Sequence, residues 1–361
     1  MSEEKPPKFF KFALVALPVG IIVGGVISMF FYFSGDGQSG ETGTRQAQTI
    51  KGKDLEKYVR TLTGEKVGPR YVGAPNDGLA RAAKYIESVL GPTNTGYAIQ
   101  RNTYKVGAED VSNLIAELKG TTKADEIIVI GAHYDSVPGS PGADDNASGV
   151  AAMISLARAM VDKKPERTIR FVAFANEEPP YFRTDFMGSH VYAKLCRGKR
   201  DNIVAMLSLE SMGYYSDEPG SQKFPDGGLA KLFPDKGDFI AFVGNLDSRE
   251  LLERTVGLFK ERSVFPAYGE ALPGLIEGVG WSDHWSFWQF GYPAVMVTDT
   301  APFRNPHYHK ASDTADTLDF AKFEQVVLAL EDVIWDLANP SKAPRTDYKS
   351  RAVELLRDAG R

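Results

Sequence analysis

Cysteine is almost absent from this 361-residue chain. Cys196 stands alone, which excludes an intrachain disulfide framework and any cysteine-based metal cluster. Histidine is scarce as well, at five residues, so a bound metal would have to be held by those imidazoles and by carboxylates. No long basic run occurs and the formal charge is −5, which argues against a nucleic-acid-binding body. No internal repeat falls at a solenoid period. What the chain does have is 43% hydrophobic residues, enough for a packed core and too many for wholesale disorder. At this length the core belongs to one large domain or two small ones.

One apolar run is long. Residues 12 to 33 carry no charge, and at a helical rise of about 1.5 Å per residue they span roughly 33 Å, the thickness of a bilayer core. Lys5, Lys8 and Lys11 precede the run, and the next basic residue is Arg45. The positive-inside rule then sets residues 1–11 in the cytoplasm and the bulk of the chain outside it, in a periplasm or at a cell surface. The run ends in Phe30-Phe31-Tyr32-Phe33-Ser34-Gly35 without an A-x-A-like site, which fits an uncleaved anchor better than a signal peptide. Ala16, Gly20, Gly24 and Ser28 recur at spacings of four; they offer a homodimerisation face, although small residues are also common in such spans. Residues 34–50 contain four glycines and read as a flexible linker, and 341–361 as a short charged tail.

Between them, residues 51–340 alternate helical and strand patterns. Leu55, Val59 and Leu62 share a helical face, as do Leu79, Ala83, Ile86 and Leu90, and then Val150, Ile154, Ala157 and Val161. Short apolar runs at 127–130, 168–175, 204–209, 239–243 and 294–297 predict buried strands. A last helix is expected over 320–338, stopped by Asn339-Pro340. This alternation predicts an α/β three-layer sandwich around a mostly parallel mixed sheet flanked by helices. Long loops at 179–187, 214–237 and 264–283 are candidates for function.

In open α/β sheets the active site lies beyond the carboxyl ends of the strands. Those ends here read His133-Tyr134-Asp135, then Gly142-Ala143-Asp144-Asp145-Asn146, Asn176-Glu177-Glu178 and Leu209-Glu210-Ser211, with Asn305-Pro306-His307-Tyr308-His309 near the chain's end. Singly, each has an ordinary reading: a packed histidine, a solvated glutamate pair, an Asp-Asp helix cap. Together they would set several carboxylates in one crevice, where they must take up protons unless cations are present. Four acidic charges balance two divalent ions, and two imidazoles among the ligands suit zinc.

The combination of H-x-D, GADDN-x-SG, N-E-E and Y-H-x-x-x-D-T resembles the co-catalytic zinc aminopeptidases of metallopeptidase family 28, which also contains glutaminyl cyclases and some carboxypeptidases. The resemblance covers roughly residues 52 to 338, including Pro69-Arg70 through Gly73 and Ser112-Asn113-Leu114-Ile115-Ala116. It implies two Zn2+ ions bridged by Asp144, with His133 and Glu210 completing one site and Glu178 and His309 the other. It implies Glu177 as general base, Asp135 as the carboxylate orienting His133, and Tyr308 as a donor to the developing oxyanion, a packed aromatic being the alternative. Glu210 stands where the best-studied family members carry aspartate, which leaves occupancy of that first site open. Asp283 and His284 are expected to be structural, and His190 and His307 not to be ligands. Phe186, Trp281 and Trp285 are candidate pocket walls. The implied activity is hydrolysis of peptides at a free N-terminus, with glutaminyl cyclisation, a carboxypeptidase relative or a non-catalytic receptor-like member as alternatives.

Overall fold

The computed structural model describes residues 47–342. The expected anchor at 12–33, with its dimerisation face, and nearly all of the linker and the tail lie outside the described residues. Among the described residues no helix is long and apolar enough to cross a membrane.

Eight strands form one mixed sheet: β1 (Ile99–Val106), β2 (Glu109–Leu118), β3 (Lys123–His133), β4 (Arg167–Phe174), β5 (Asn202–Glu210), β6 (Ile240–Gly244), β7 (Ala267–Ala271) and β8 (Ala294–Thr298). Their order is β1-β2-β4-β3-β5-β8-β6-β7. The centre is parallel, with β3 between β4 and β5 and β8 beyond β5. The antiparallel pairs lie toward the edges, β1 with β2, β2 with β4 and β6 with β8. The mixed sheet and its flanking helices match the sequence expectation.

Strand periodicity explains why both faces are covered. Successive side chains point to opposite faces, and on β3 Ile128 and Ile130 enter one core while Ile127 and Val129 enter the other. The first core is completed by the helices Gly52–Thr63, Gly78–Leu90, Gly149–Ala159, Arg249–Arg262 and Phe320–Ala338. The second is completed by Gly188–Lys199 and His284–Gln289, which bring Tyr192, Cys196 and Phe287 against Val172 and Phe174. A strand buried on both faces cannot carry a polar alternation, which is why the central strands read as continuous apolar runs.

Two regions depart from expectation. The β1–β2 hairpin and β7 are strands that the apolar runs do not announce. Edge strand β1 is half solvated, with Gln100, Arg101 and Lys105 exposed and Tyr104 and Val106 buried. β7 is the short Ala267–Ala271 segment inside what reads as a loop.

Candidate metal centre

The parallel strands end together, so their last residues converge. His133 closes β3, Glu210 closes β5, and the chain turns sharply after β4. Asn176 takes a left-handed conformation at φ 57°, which asparagine tolerates better than most residues. Glu177 and Glu178 follow, and both their backbone N–H groups donate to Asp135, at 3.1 and 3.0 Å. Adjacent residues in a strand would point oppositely; here the turn lets both carboxylates face the crevice. Asp135 Oδ1 also lies 3.3 Å from His133 Nδ1. One buried carboxylate thus sets the imidazole and the Glu177-Glu178 turn together.

Two ligand groups result. His133, Asp145 and Glu210 form one, and Asp145, Glu178 and His309 the other, with the atoms of each group within 4.8 Å of one another. His133 Nε2 is 3.2 Å from Asp145 Oδ1 and 3.2 Å from Glu210 Oε2. His309 Nε2 is 3.0 Å from Asp145 Oδ2 and 3.3 Å from Glu178 Oε2.

The shared carboxylate is Asp145, which corrects the expectation for Asp144. The two oxygens of Asp145 face different imidazoles. Those of Asp144 are consumed by the frame, Oδ1 accepting from Gly213 N at 2.9 Å and Oδ2 from Asn305 Nδ2 at 2.7 Å. The loop is pinned by Asp313, which accepts the backbone N–H of both Asp144 and Asp145, at 3.0 and 3.2 Å. From the other side the buried Arg70 guanidinium donates to the carbonyls of Leu62, Tyr134, Pro141 and Gly142. Gly142 sits at φ 62°, and a Cβ there would meet Asp145 O at 2.3 Å, so the loop closes only around glycine. The sequence shows Arg70 and Asp313 within motifs, yet nothing in it says which of two neighbouring aspartates turns inward.

Glu210 carries its extra methylene without losing position. Ser282 Oγ donates to Oε2 at 2.8 Å and Ser211 Oγ to Oε1 at 2.9 Å. Ser211 and Ser282 both lie within segments the sequence marks, but nothing in the sequence shows that their hydroxyls meet on Glu210. Asp283 and His284 are buried and belong to neither ligand group. Burial pushes the Asp283 carboxyl up to about 7 and holds His284 neutral down to about 4, with Nε2 against Val279 O. His307 packs on Tyr214 and Ser312, and His190 lies 3.4 Å from Asp185; neither is in a ligand group.

Electrostatics test whether these residues suit metal. Two carboxylates within 4.8 Å of each other repel by at least about 3 kcal/mol at an effective dielectric near 20, a large share of the ~5–15 kcal/mol that holds a domain folded. Without cations the crevice answers with protons. Burial and the Asp145 charge push Glu178 up to about 8. Burial opposes a charge on His309, but its bonds to Asp145 and Glu178 raise it to about 10. Burial also raises Glu177 well above the carboxylate range, with Glu178 and Glu210 adding to the shift and His133 opposing it. Glu178 Oε1 is buried with no hydrogen-bond partner among the described residues. The spacing agrees too: a tetrahedron with bonds of about 2.0–2.1 Å has edges near 3.3 Å, and the four imidazole–carboxylate distances run from 3.0 to 3.3 Å. The donor set fits divalent zinc.

Because the metal-free crevice around Glu178 and His309 takes up protons that bound zinc would exclude, loading must displace them. Titrating zinc into metal-free protein at pH 7 should therefore release protons, giving a calorimetric enthalpy that changes with the ionisation enthalpy of the buffer. An enthalpy independent of buffer would contradict this account of the site.

A cavity of about 120 Å3 opens beside the first ligand group, with Glu210 and Tyr308 in its wall and Phe233, Phe242, Trp281 and Phe303 among its apolar lining. Of the expected pocket residues, Trp281 lines it. Trp285 and Phe186 do not, Trp285 lying against Arg183 and Phe186 facing solvent. Tyr308 stacks on His309 with ring centroids 3.9 Å apart.

The model of peptidase family M28 matches residues 113–334, which spans β3 to β8 and every ligand named above. This chain belongs to peptidase family M28. The M28 chain is 40% identical to Escherichia coli (strain K12) YfbL over 284 residues, 76% of this chain and 85% of that one. It is 24% identical to the aminopeptidase YwaD of Bacillus subtilis (strain 168), covering 85% of this chain but 60% of YwaD. Its fold superposes on the solved structure of BSAP, a zinc aminopeptidase from Bacillus subtilis, with a TM-score of 0.60 at 16% identity, covering 85% of this chain and all of that one.

Proposed function

We propose that this M28 chain is a dizinc aminopeptidase that removes large apolar residues from the N-termini of peptides. The observation that carries the reading is the pair of ligand groups sharing Asp145, with Glu177 beside them in neither group and an aromatic cavity opening at Glu210. The family membership and the similarity to YwaD support it.

When bound, two zinc ions polarise the scissile carbonyl and bring the pKa of a water near neutrality. The protein's own contribution follows from its side chains. Glu177 Oε2 lies 3.9 Å from His133 Nε2, so its carboxylate faces the first group without ligating. A base must keep the proton it takes long enough to deliver it, and burial among acids gives Glu177 that affinity. It accepts a proton from the attacking water and passes it to the leaving amine. Burial, then the charges of Asp145 and Glu178, push the Tyr308 phenol above its usual range. Tyr308 therefore stays protonated and donates to the oxyanion as charge develops there. The substrate ammonium faces the acidic crevice, which favours a free N-terminus over an internal bond. The first side chain then enters the aromatic cavity.

The test is a mixed peptide library with the zinc-loaded protein, products read by mass spectrometry. Release of single N-terminal residues, with Leu, Met and Phe ahead of Asp and Gly, is expected. Ala241 lines the cavity, and Ala241→Phe should lower kcat/KM for N-terminal Phe at least tenfold while sparing Ala. Loss of ammonia from N-terminal Gln without cleavage would identify a cyclase and sink the reading.

A further inference from the structure

Lys223 lines the cavity beside this acidic site, and the Arg183 guanidinium feels the charge of Glu177 within it. Arg70 is spent on carbonyls, and Arg304 is buried against Gln222 and Phe239 O. Arg262 pairs with Asp336 on the helix Phe320–Ala338, at 2.6 Å. Arg183 differs. It lies in the loop that follows Glu178, five residues on, and its side chain is exposed.

Its seat is built. The guanidinium packs on the rings of Phe182 and Trp285, 5.1 and 5.2 Å from their centroids. Nη2 donates to Gly280 O at 3.0 Å. Gly280 must lack a side chain for this, since a Cβ there would stand 2.8 Å from Nη2 and 3.2 Å from Trp285 Cδ1. The next residue, Trp281, is in the wall of the substrate cavity. Arg183 itself takes a left-handed conformation at φ 58°, which an ordinary residue adopts only against steric strain. The charged group acting on the guanidinium is Glu177. Nε and Nη1 make no hydrogen bond among the described residues. A fork fixed through Nη2 with its other N–H groups open is preorganised to receive a carboxylate.

We propose that Arg183 binds a carboxylate of the substrate on the leaving side of the scissile bond, so that short peptides with a free C-terminus are the preferred substrates. The inference rests on the aminopeptidase reading. Each residue beyond the scissile bond carries the C-terminal carboxylate about 3.3–3.6 Å further away, so a dipeptide or tripeptide keeps it at the rim and a long peptide does not. The same chemistry is available from an Asp or Glu side chain next to the scissile bond.

The experiment uses the zinc-loaded protein and four substrates: Leu-Ala, Leu-Ala-amide, Leu-Asp-amide and leucine p-nitroanilide. A kcat/KM for Leu-Ala at least tenfold above that for its amide is expected, carried by KM. In Arg183→Gln this ratio should fall to near one, and Arg183→Lys should retain part of it. If Leu-Asp-amide matches Leu-Ala and depends equally on Arg183, the guanidinium reads a carboxylate from either source. A wild-type ratio near one, or a loss in Arg183→Gln shared equally by acid and amide, overturns the proposal and makes Arg183 a clamp between two loops. Cleavage of the anilide in that case keeps the aminopeptidase reading standing; failure to cleave any of the four removes both.

Discussion

Replacing Glu177 by Gln should lower kcat by about 10²–10⁴, the range a positioned general base contributes, while zinc content and KM stay near those of the parent. Each factor of ten is about 1.4 kcal/mol of barrier. The change keeps the side chain's shape and removes its ability to take the proton. Glu177 belongs to neither ligand group, and its backbone N–H bond to Asp135 does not involve the side chain. Metal analysis and kinetics on the same preparation therefore separate two roles. A variant that loses zinc along with activity would make Glu177 a ligand. A variant with near-parent kcat would take the proton away from Glu177.

The two aspartates of the GADDN loop should behave oppositely. Asp145→Asn removes a charge shared by both ligand groups, so zinc stoichiometry should fall from about two toward zero and activity should vanish. If zinc at a hundredfold excess over its Kd stabilises the parent by about 2.7 kcal/mol, that is worth roughly 5–10 °C in melting temperature at 2–4 °C per kcal/mol. The variant should show no such response. Metal-free, it should melt below the metal-free parent, because the Asp145 carboxylate that pairs with His133 and His309 has gone. Asp144→Asn should do the reverse with respect to zinc. Its amide offers one acceptor where Gly213 N and Asn305 Nδ2 each require one, so it should lose about 1–3 kcal/mol of stability and keep its zinc. Metal analysis and melting curves of the four proteins, with and without zinc, decide the matter. Retained zinc in Asp145→Asn, or its loss in Asp144→Asn, would restore Asp144 as the bridge.

That pair shows where sequence reasoning stops. The residues that gather at the site were legible because they close apolar strands in a parallel sheet, and strands that run together end together. His133 and Glu210 are last residues of β3 and β5, and the burial of those strands is written in Ile127–Ile130 and Val204–Leu209. Glu177-Glu178 was legible as a pair, but their shared direction needed the left-handed Asn176 and the two N–H bonds to Asp135. Which of Asp144 and Asp145 faces inward depends on Asp313, Asn305 and Gly213, between 69 and 169 residues away in sequence. No local pattern encodes a choice made by such distant partners.

The same division holds for the fold. The chain's local composition determined an α/β sandwich, the central strands and the helix Phe320–Ala338, because burial on two faces or on one helical stripe imposes its own period. It left out β1, which is solvated on one face, β7, which is five residues long, and β2, whose buried run is broken by the polar Ser112 and Asn113. It also named Trp281, Trp285 and Phe186 alike as pocket walls, and the structure set only Trp281 in the cavity, giving Trp285 to Arg183. The sequence by itself determined which side chains gather at the site: carboxylates and imidazoles at strand ends, with one further glutamate beside them. Only tertiary structure decided the wiring, namely which aspartate is shared and what holds the longer Glu210. Residue types are fixed by local periodicity and strand burial, whereas the direction of a side chain is fixed by hydrogen bonds that close only when remote segments meet.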